Sequence, residues 1–349
     1  MEQVRLAVVG VGAMGATHAE LVHACPACAL VGVCDTDPTR EVVAARLGVP
    51  FYTSAEALIG EAKPSGAIIA TPTGEHAVTA MACMQRSVHV LIEKPIASTM
   101  AQAEDILRTA HASGTRVLVG YHRRHNALIR ETRELVRGGR IGRIVGVSVL
   151  WSALKPDDYY RVGWRRERPA GGPTLINLVH DLDSLRFICG EITEVYAHTR
   201  SAVRRLDVED SASIALEFEN GAVGTVLASD ACPSPWSYEG TSGENPALFH
   251  ADRSCYHFLG TSGALAFPEL DLWRYPDGAP RGWQHPLERV RIDVVRNDPL
   301  RAQLEHFCRV VEGVEAPVVD AETGARSLAV ALAVLESARE GRPIDPRCL

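Results

Sequence analysis

Between Val4 and Val119, short runs of β-branched and aliphatic residues alternate with longer stretches whose apolar positions recur at helical spacing. Strands are predicted at 4–9, 29–34, 50–52, 66–71, 88–92 and 116–119, and helices at 13–25, 38–47, 54–61, 75–86 and 99–113. The strand runs, such as Val4-Arg5-Leu6-Ala7-Val8-Val9, are almost continuously apolar, the pattern of strands covered on both faces. Strand and helix in strict succession predict an α/β domain built on a parallel, doubly wound sheet.

After Gly120 the pattern changes. A basic helix is predicted at 127–137, followed by a Gly-Gly turn and a strand at 144–151. Further strands are expected at 194–203, 209–219, 221–231, 254–260, 263–267 and 287–295, with one helix at 173–189 covering a face and closing helices at 298–312 and 321–340. This reads as an α+β domain on a large, mostly antiparallel open sheet. The domains are expected at 1–121 and 122–349, the closing helices packing back on the first. The polar stretch 232–253 is expected to be a long loop, a kind of segment often used for function.

A length of 349 residues suits two domains, and 46% hydrophobic with 23% charged residues is an ordinary globular composition. The net charge of −7 offers no global attraction to a nucleic acid or an acidic membrane. No stretch approaches the roughly 18 apolar residues a bilayer span requires, so a cytoplasmic location is expected, without membrane or nucleic-acid partners. Nine cysteines, an odd count without a secretion signal, read as free thiols. Cys25 and Cys28 form a C-x-x-C, but no second pair follows at metal-binding spacing, and no metal site is expected.

Gly10-Val11-Gly12-Ala13-Met14-Gly15 follows the first strand and opens the first helix. In that context the glycines serve a tight turn, backbone approach to a pyrophosphate, and close helix–strand packing. The helix N-terminus then presents free N–H groups to the phosphates. Asp35 ends the second strand, 20 residues past Gly15, placed to accept hydrogen bonds from a ribose diol. Its charge, with that of Asp37, repels a 2′-phosphate, which favours NAD over NADP; Arg40 is the one nearby group that could hold such a phosphate.

Glu93-Lys94-Pro95 ends the fifth strand, at the carboxyl edge where open α/β sheets bind ligands. By spacing alone Lys94 is equally a lysine in a surface turn, and His180, on an apolar helix, a core histidine. Together, the glycine fingerprint, Ala70-Thr71-Pro72-Thr73-Gly74-Glu75-His76, Glu93-Lys94-Pro95, Gly120-Tyr121-His122-Arg123-Arg124-His125, and Gly171-Gly172 followed by His180-Asp181-Leu182-Asp183 resemble the glucose-fructose oxidoreductase, inositol dehydrogenase and rhizopine-catabolism (Gfo/Idh/MocA) family over essentially the whole chain.

The resemblance implies a Rossmann domain, NAD(P)-dependent oxidation of a sugar, cyclitol or related polyol hydroxyl, and assembly as a homodimer or homotetramer through the second domain's sheet. It makes Lys94 and His180 the catalytic pair: the histidine takes the hydroxyl proton and the lysine stabilises the alkoxide. Thr71, Pro72, His76, Glu93 and Lys94 become cofactor contacts beside Gly10, Gly12, Ala13, Met14, Gly15 and Asp35. Tyr121, Arg123, Trp164, Arg165 and Asn177 become substrate contacts, with Lys94 and His180. Asp183 is a candidate to orient the imidazole. Many members carry an aspartate four residues before the histidine; here that position is Ile176, with Asn177 the nearest polar residue. The Tyr159–Arg166 loop lines the pocket in the family, and its arginines suit a carboxylate or phosphate. Two other readings use the same residues: a reductase of an imine, enone or aldehyde, or a non-catalytic nucleotide-binding sensor.

Overall fold

The computed structural model describes residues 3–246 and 248–349. The start of the first predicted domain and position 247 of the 232–253 stretch lie outside the described residues. The chain divides into two compact units. One runs to His122 and includes Leu300–Leu328; the other comprises Arg123–Pro299 and Ala329–Leu349. The division falls one residue later than the expected 121/122, and the expected single stretch 122–349 is interrupted by a segment that belongs with the first unit.

In the first unit, β1 (Val4–Val9), α1 (Ala13–Ala24), β2 (Cys28–Cys34), α2 (Glu41–Leu47), β3 (Phe51–Tyr52), α3 (Ala55–Ala62), β4 (Gly66–Ile69), α4 (His76–Met84), β5 (His89–Ile92), α5 (Met100–Ser113) and β6 (Val117–Val119) follow in strict alternation. The strands form one parallel sheet in the order β3-β2-β1-β4-β5-β6. That order reverses direction between β1 and β4, the switch point at which such sheets bind ligands. Leu6, Ala7 and Val8 of β1, Ala67 to Ile69 of β4 and Val90 to Ile92 of β5 have no exposed surface, which is why these strands read as unbroken apolar runs. Helix starts carry side-chain caps: Ser54 Oγ accepts from Ala57 N at 3.2 Å and Thr99 Oγ1 from Gln102 N at 3.3 Å. The 300–328 segment closes the unit at its β6 edge, where Val119 N donates to Val319 O at 2.8 Å.

The second unit contains α6 (Ala127–Arg137), β7 (Ile144–Ser152), α7 (Val179–Cys189), β8 (Ile192–Arg200), β9 (Ser211–Phe218), β10 (Val223–Ser229), a single-turn α8 (Tyr238–Thr241), β11 (Tyr256–Gly260), β12 (Gly263–Phe267), β13 (Asp271–Arg274) and β14 (Glu288–Arg291). The last two helices are α9 (Pro299–Glu312) and α10 (Ala321–Glu340), and α10 divides between the units. The sheet order is β14-β13-β12-β11-β7-β10-β9-β8, antiparallel except for the β7–β10 pair.

The structure corrects several expectations. The strand expected at 194–203 ends at Arg200, and the one at 287–295 shortens to β14. β13 has no counterpart among the predicted strands: four residues between turns give too little alternation to read. The 232–253 stretch is not a plain polar loop, because it contains α8 and buries Ser237, Tyr238, Thr241 and Ser242. The helix expected at 173–189 begins as a π-helical turn, Thr174–Leu178, in which Val179 N reaches Thr174 O.

One face of the large sheet is buried through Ile214, Leu216, Phe218, Val226 and Ala228. On the other, register aligns Leu227 with Leu150 and Leu259 with Ala264, which in turn faces Trp273. Leu227 is 58% exposed and Leu259 48% exposed.

Candidate active site

The predicted cofactor residues converge on the carboxyl edge of the parallel sheet. Gly10 leaves β1 at φ +84°, and a Cβ there would lie 2.6 Å from Thr71 N. A Cβ on Gly15 would lie 1.7 Å from Gly10 O, so the first turn of α1 packs against the glycine turn at backbone contact. Gly12 has the opposite environment: a Cβ added to it would meet nothing within 4 Å. It caps α1, whose first turn carries no acidic side chain, and Ala13 and Met14 beside it are exposed. The chain thus provides an open backbone cradle at an uncompensated helix N-terminus, and the residues fit a dinucleotide pyrophosphate.

Asp35 locks this loop. Its Oδ2 accepts from Val11 N at 2.8 Å and its Oδ1 from Asp37 N at 3.0 Å. The carboxylate is held by backbone donors at the end of β2, half-buried, with lone pairs left for a ribose diol. Arg40, the group that could hold a 2′-phosphate, lies 3.6 Å from Asp37 on the surface.

Beyond the switch point, two buried histidines brace the turn that carries Lys94. His18, on α1 and 2% exposed, faces Glu93 Oε1 at 2.8 Å, and Glu93 Oε2 accepts from Lys94 N at 3.1 Å. Burial alone would push the Glu93 carboxyl up, but the hydrogen bond and charge of His18, with Lys94, hold it down at about 2. Gly120 backs this carboxylate so closely that a Cβ there would sit 3.1 Å from Glu93 Oε1. His76 spans the neighbouring gap, with Nδ1 2.9 Å from Pro95 O and Nε2 2.9 Å from Thr71 O. Burial pulls its pKa below the usual value, countered by the hydrogen bonds to the two carbonyls. Pro72 is exposed and Lys94 half-buried on these turns, while the Thr71 hydroxyl is buried without a hydrogen-bond partner, a donor available to a bound group. Tyr121 ends the strip and is fully buried.

In the second unit, His180 is the second residue of α7 and is 6% exposed. The π turn before it alters the geometry expected for Ile176 and Asn177, which no longer sit at regular α-helical offsets from His180. Asn177 accepts from Lys155 Nζ at 2.5 Å. Gly171 fixes the preceding loop: a Cβ there would come within 2.7 Å of the Trp164, Arg165 and Glu167 carbonyls. Gly172, at φ +90°, donates to Arg165 O at 3.1 Å. The Gly-Gly pair therefore seats Trp164 and Arg165 beside the start of the helix bearing His180. Buried Glu209 accepts from Thr174 N at 3.0 Å and supplies negative charge at that helix start.

Two expectations do not hold in the form given. Arg123 does not present a free guanidinium to a substrate: it is 2% exposed, ion-paired with Asp181 at 3.2 Å and Glu239 at 2.7 Å, and stacked 3.7 Å over Tyr238. Burial pushes Asp181 up to about 6, countered by Arg123. Asp183 holds Arg124 in a bidentate pair at 2.9 and 2.7 Å, which makes it an anchor of α7. Lys155 escapes a reading of the sequence because it precedes the aromatic-basic stretch; its only signal is its place in a basic segment just after β7. Cys25 and Cys28 are buried free thiols, and among the described residues no group of three or more histidine, cysteine or acidic side chains is arranged to hold a metal ion. No helix among them is long and apolar enough to cross a membrane.

A glycine cradle at the switch point, an anchored carboxylate at the end of β2 and a braced lysine turn define a dinucleotide-dependent oxidoreductase architecture. Residues 4–121 match the family model described as an oxidoreductase family with an NAD-binding Rossmann fold, and residues 133–345 match its C-terminal α/β domain. The chain belongs to the Gfo/Idh/MocA oxidoreductase family, and its first unit is an NAD-binding Rossmann domain. It is 28% identical over 303 residues to the 1,5-anhydro-D-fructose reductase of Ensifer adhaerens, covering 84% of this chain and 83% of that one. It is 25% identical to the myo-inositol 2-dehydrogenase of Thermotoga maritima, covering 97% and 98%. The fold matches that of the WlbA dehydrogenase of Bordetella pertussis, crystallised with NADH and UDP-GlcNAcA, with a TM-score of 0.78, 24% identity and 99% of each chain covered.

The glycines give a discriminating pair of variants. Gly12→Ala should leave stability unchanged and weaken NADH about tenfold or more, because its Cβ fills only the cradle. Gly15→Ala should lose about 3 kcal/mol or more in urea unfolding, because its Cβ meets backbone. Equal stability in the two variants would contradict this division of roles. Glu93→Gln should melt below wild type at pH 7. Since the native carboxyl titrates below its ordinary value of 4.5, the stabilisation is complete above that pH and is lost as pH falls towards 2. A melting deficit that stays constant over that window would show that the Glu93 charge is not the source.

Proposed function

We propose that the protein is an NAD-dependent dehydrogenase that oxidises a hydroxyl of a sugar, cyclitol or sugar-acid-like polyol. The observation that carries this reading is the Lys94 turn, held from both sides at the edge of the NAD-binding sheet by Glu93 with His18 and by His76. A lysine in a casual surface turn has no need of two buried histidines and a buried carboxylate beneath it. The names of the Thermotoga and Ensifer relatives, an inositol dehydrogenase and an anhydrofructose reductase, support a polyol or its carbonyl product as the reacting group.

In this mechanism Lys94 directs its ammonium at the reacting oxygen and stabilises the alkoxide, with its backbone fixed by Glu93. His180 takes the hydroxyl proton, since an imidazole accepts a proton reversibly near neutral pH. Bound NAD+ supplies the hydride acceptor. Run in reverse, His180 returns the proton to the oxygen that Lys94 stabilises, with bound NADH as the hydride source, the direction in which the Ensifer relative is named. With NAD and a panel of sugars, cyclitols and sugar acids, nicotinamide reduction is expected for at least one substrate. Lys94→Ala and His180→Ala should each lower turnover by about 10² to 10⁴. Near wild-type turnover would remove that residue from the mechanism, and tight NADH binding with no turnover on any polyol would favour a sensor.

We also infer a homodimer or homotetramer formed through the outer sheet face, where Leu150, Leu227, Leu259 and Trp273 share one side. Exposed leucines in register across a sheet are the composition of a covered surface. Leu227→Arg should reduce the sedimentation mass without lowering NADH affinity; an unchanged mass would place the interface elsewhere.

A further inference from the structure

We infer that Cys28 and Cys308 form an oxidisable thiol pair, closed to a disulfide by a peroxide, that ties α9 to the start of β2. The site is independent of the reaction proposed above. It takes up the Cys25-x-x-Cys28 motif, which neither the cofactor cradle nor the lysine turn uses. Spacing alone would pair Cys28 with Cys25, but the fold brings it a third thiol from 280 positions further along the chain.

Cys25 caps the C-terminus of α1 and Cys28 opens β2. The Cys28 sulfur lies beneath the last turn of α1, 3.7 Å from Val22 O and 4.0 Å from Cys25 O. Cys28 is in register with Val4 of β1, and two residues along β1 Leu6 stands beside Gly66, the first residue of β4. Helix α9 lies against these same strand starts: a Cβ on Gly66 would meet Val311 at 3.0 Å and Phe307 at 3.2 Å. The helix end is held there by Arg116 Nη1, which donates to Val311 O at 3.2 Å. Cys308 follows Phe307 on α9, is buried, and accepts the hydrogen bond of the buried Cys28 thiol.

That hydrogen bond divides the two sulfurs. It pushes the Cys28 thiol up, with burial adding to it, and holds the Cys308 thiol down against its own burial. One sulfur ionises more readily while its neighbour keeps a proton beside it, a polarisation that favours thiol oxidation. Cys25 acts on the Cys28 thiol more weakly than Cys308 does, so the long-range pair is the better matched. A surface cavity of about 380 Å³, lined by His23, Cys25, Pro26, Cys28 and Leu47 among others, gives a small oxidant an approach to the motif.

The chemistry needs one equivalent of hydrogen peroxide. One sulfur attacks a peroxide oxygen, the O–O bond breaks, and the thiol becomes a sulfenic acid as water leaves. The second sulfur then displaces the hydroxyl group from the first, forming the S–S bond, and its proton departs in a second water. The two thiols lose two electrons and two protons, and the peroxide becomes two waters.

Peptide mapping of the full chain after hydrogen peroxide treatment tests this, with free thiols blocked by N-ethylmaleimide and trypsin digestion carried out without reductant. The expected product joins the peptide of residues 6–40 to that of residues 302–309 through Cys28 and Cys308, and dithiothreitol separates them again. The oxidised protein should melt about 4 °C or more above the reduced protein, because the cross-link closes a long loop in the unfolded chain. Each variant compared with its own reduced form, this gain should vanish in Cys308→Ala and persist in Cys25→Ala. The map needs no variant, so it decides even where Cys308→Ala folds poorly. A Cys25–Cys28 link in place of the expected one, oxidation confined to the exposed Cys232 and Cys348, or a linked form that melts no higher than the reduced one would each overturn the inference.

Discussion

The buried Glu93 carboxylate is the constraint on which the lysine-bearing end of the Rossmann unit depends. An ionised carboxylate with almost no exposed surface is tolerated only when its oxygens are satisfied, and here one faces His18 and the other the Lys94 backbone N–H. His18 belongs to α1, the helix whose N-terminus forms the pyrophosphate cradle, so one hydrogen bond joins the phosphate end of the cofactor site to the lysine end. Removing either partner would leave a buried group unsatisfied, so the pair behaves as a unit rather than as two replaceable contacts. His76 repeats the device on the other side, bridging two carbonyls from turns that follow β4 and β5.

The glycine fingerprint works by contrast rather than by flexibility in general. Gly10 and Gly15 are glycine because backbone occupies the space a Cβ would need, whereas Gly12 is glycine because that space is empty. The first two build the turn and the third leaves it open to a ligand. Packing density and binding are thus assigned to different residues within six positions, which is why the motif carries information only when a strand precedes it and a helix follows.

How much was legible in the sequence follows from the range of the interactions involved. Parallel strands buried on both faces announce themselves as apolar runs, and the glycine loop, Asp35 and Lys94 fall at strand ends that can be counted from those runs. Local caps and helix periodicity fixed α6 and α10 to the residue. What could not be read depended on partners distant in sequence. Arg123 looks like a basic residue in a loop until Asp181 and Glu239, 58 and 116 residues away by number, bury it. Asp183 looks free to orient His180 until Arg124 claims it. The π turn at Thr174–Leu178 leaves no trace in periodicity, yet it changes which side chain precedes the histidine in space.

Lys155 shows the same limit from the other side, and it sharpens how the site is understood. A lone lysine after β7 carries no motif, yet its 2.5 Å contact with Asn177 joins two residues 22 apart in the sequence. Lys94 and His180 stand in motifs because they sit at a strand end and a helix start, where local geometry is fixed. Groups that choose among substrates need only arrive at the right place, from any element that can reach it. The contacts around the 155–177 stretch are accordingly long-range, in the Gly171 seat for the 164–167 loop and the two cations on the Tyr159 ring, while the glycine loop, Asp35 and Lys94 stand in the order of the first 95 residues.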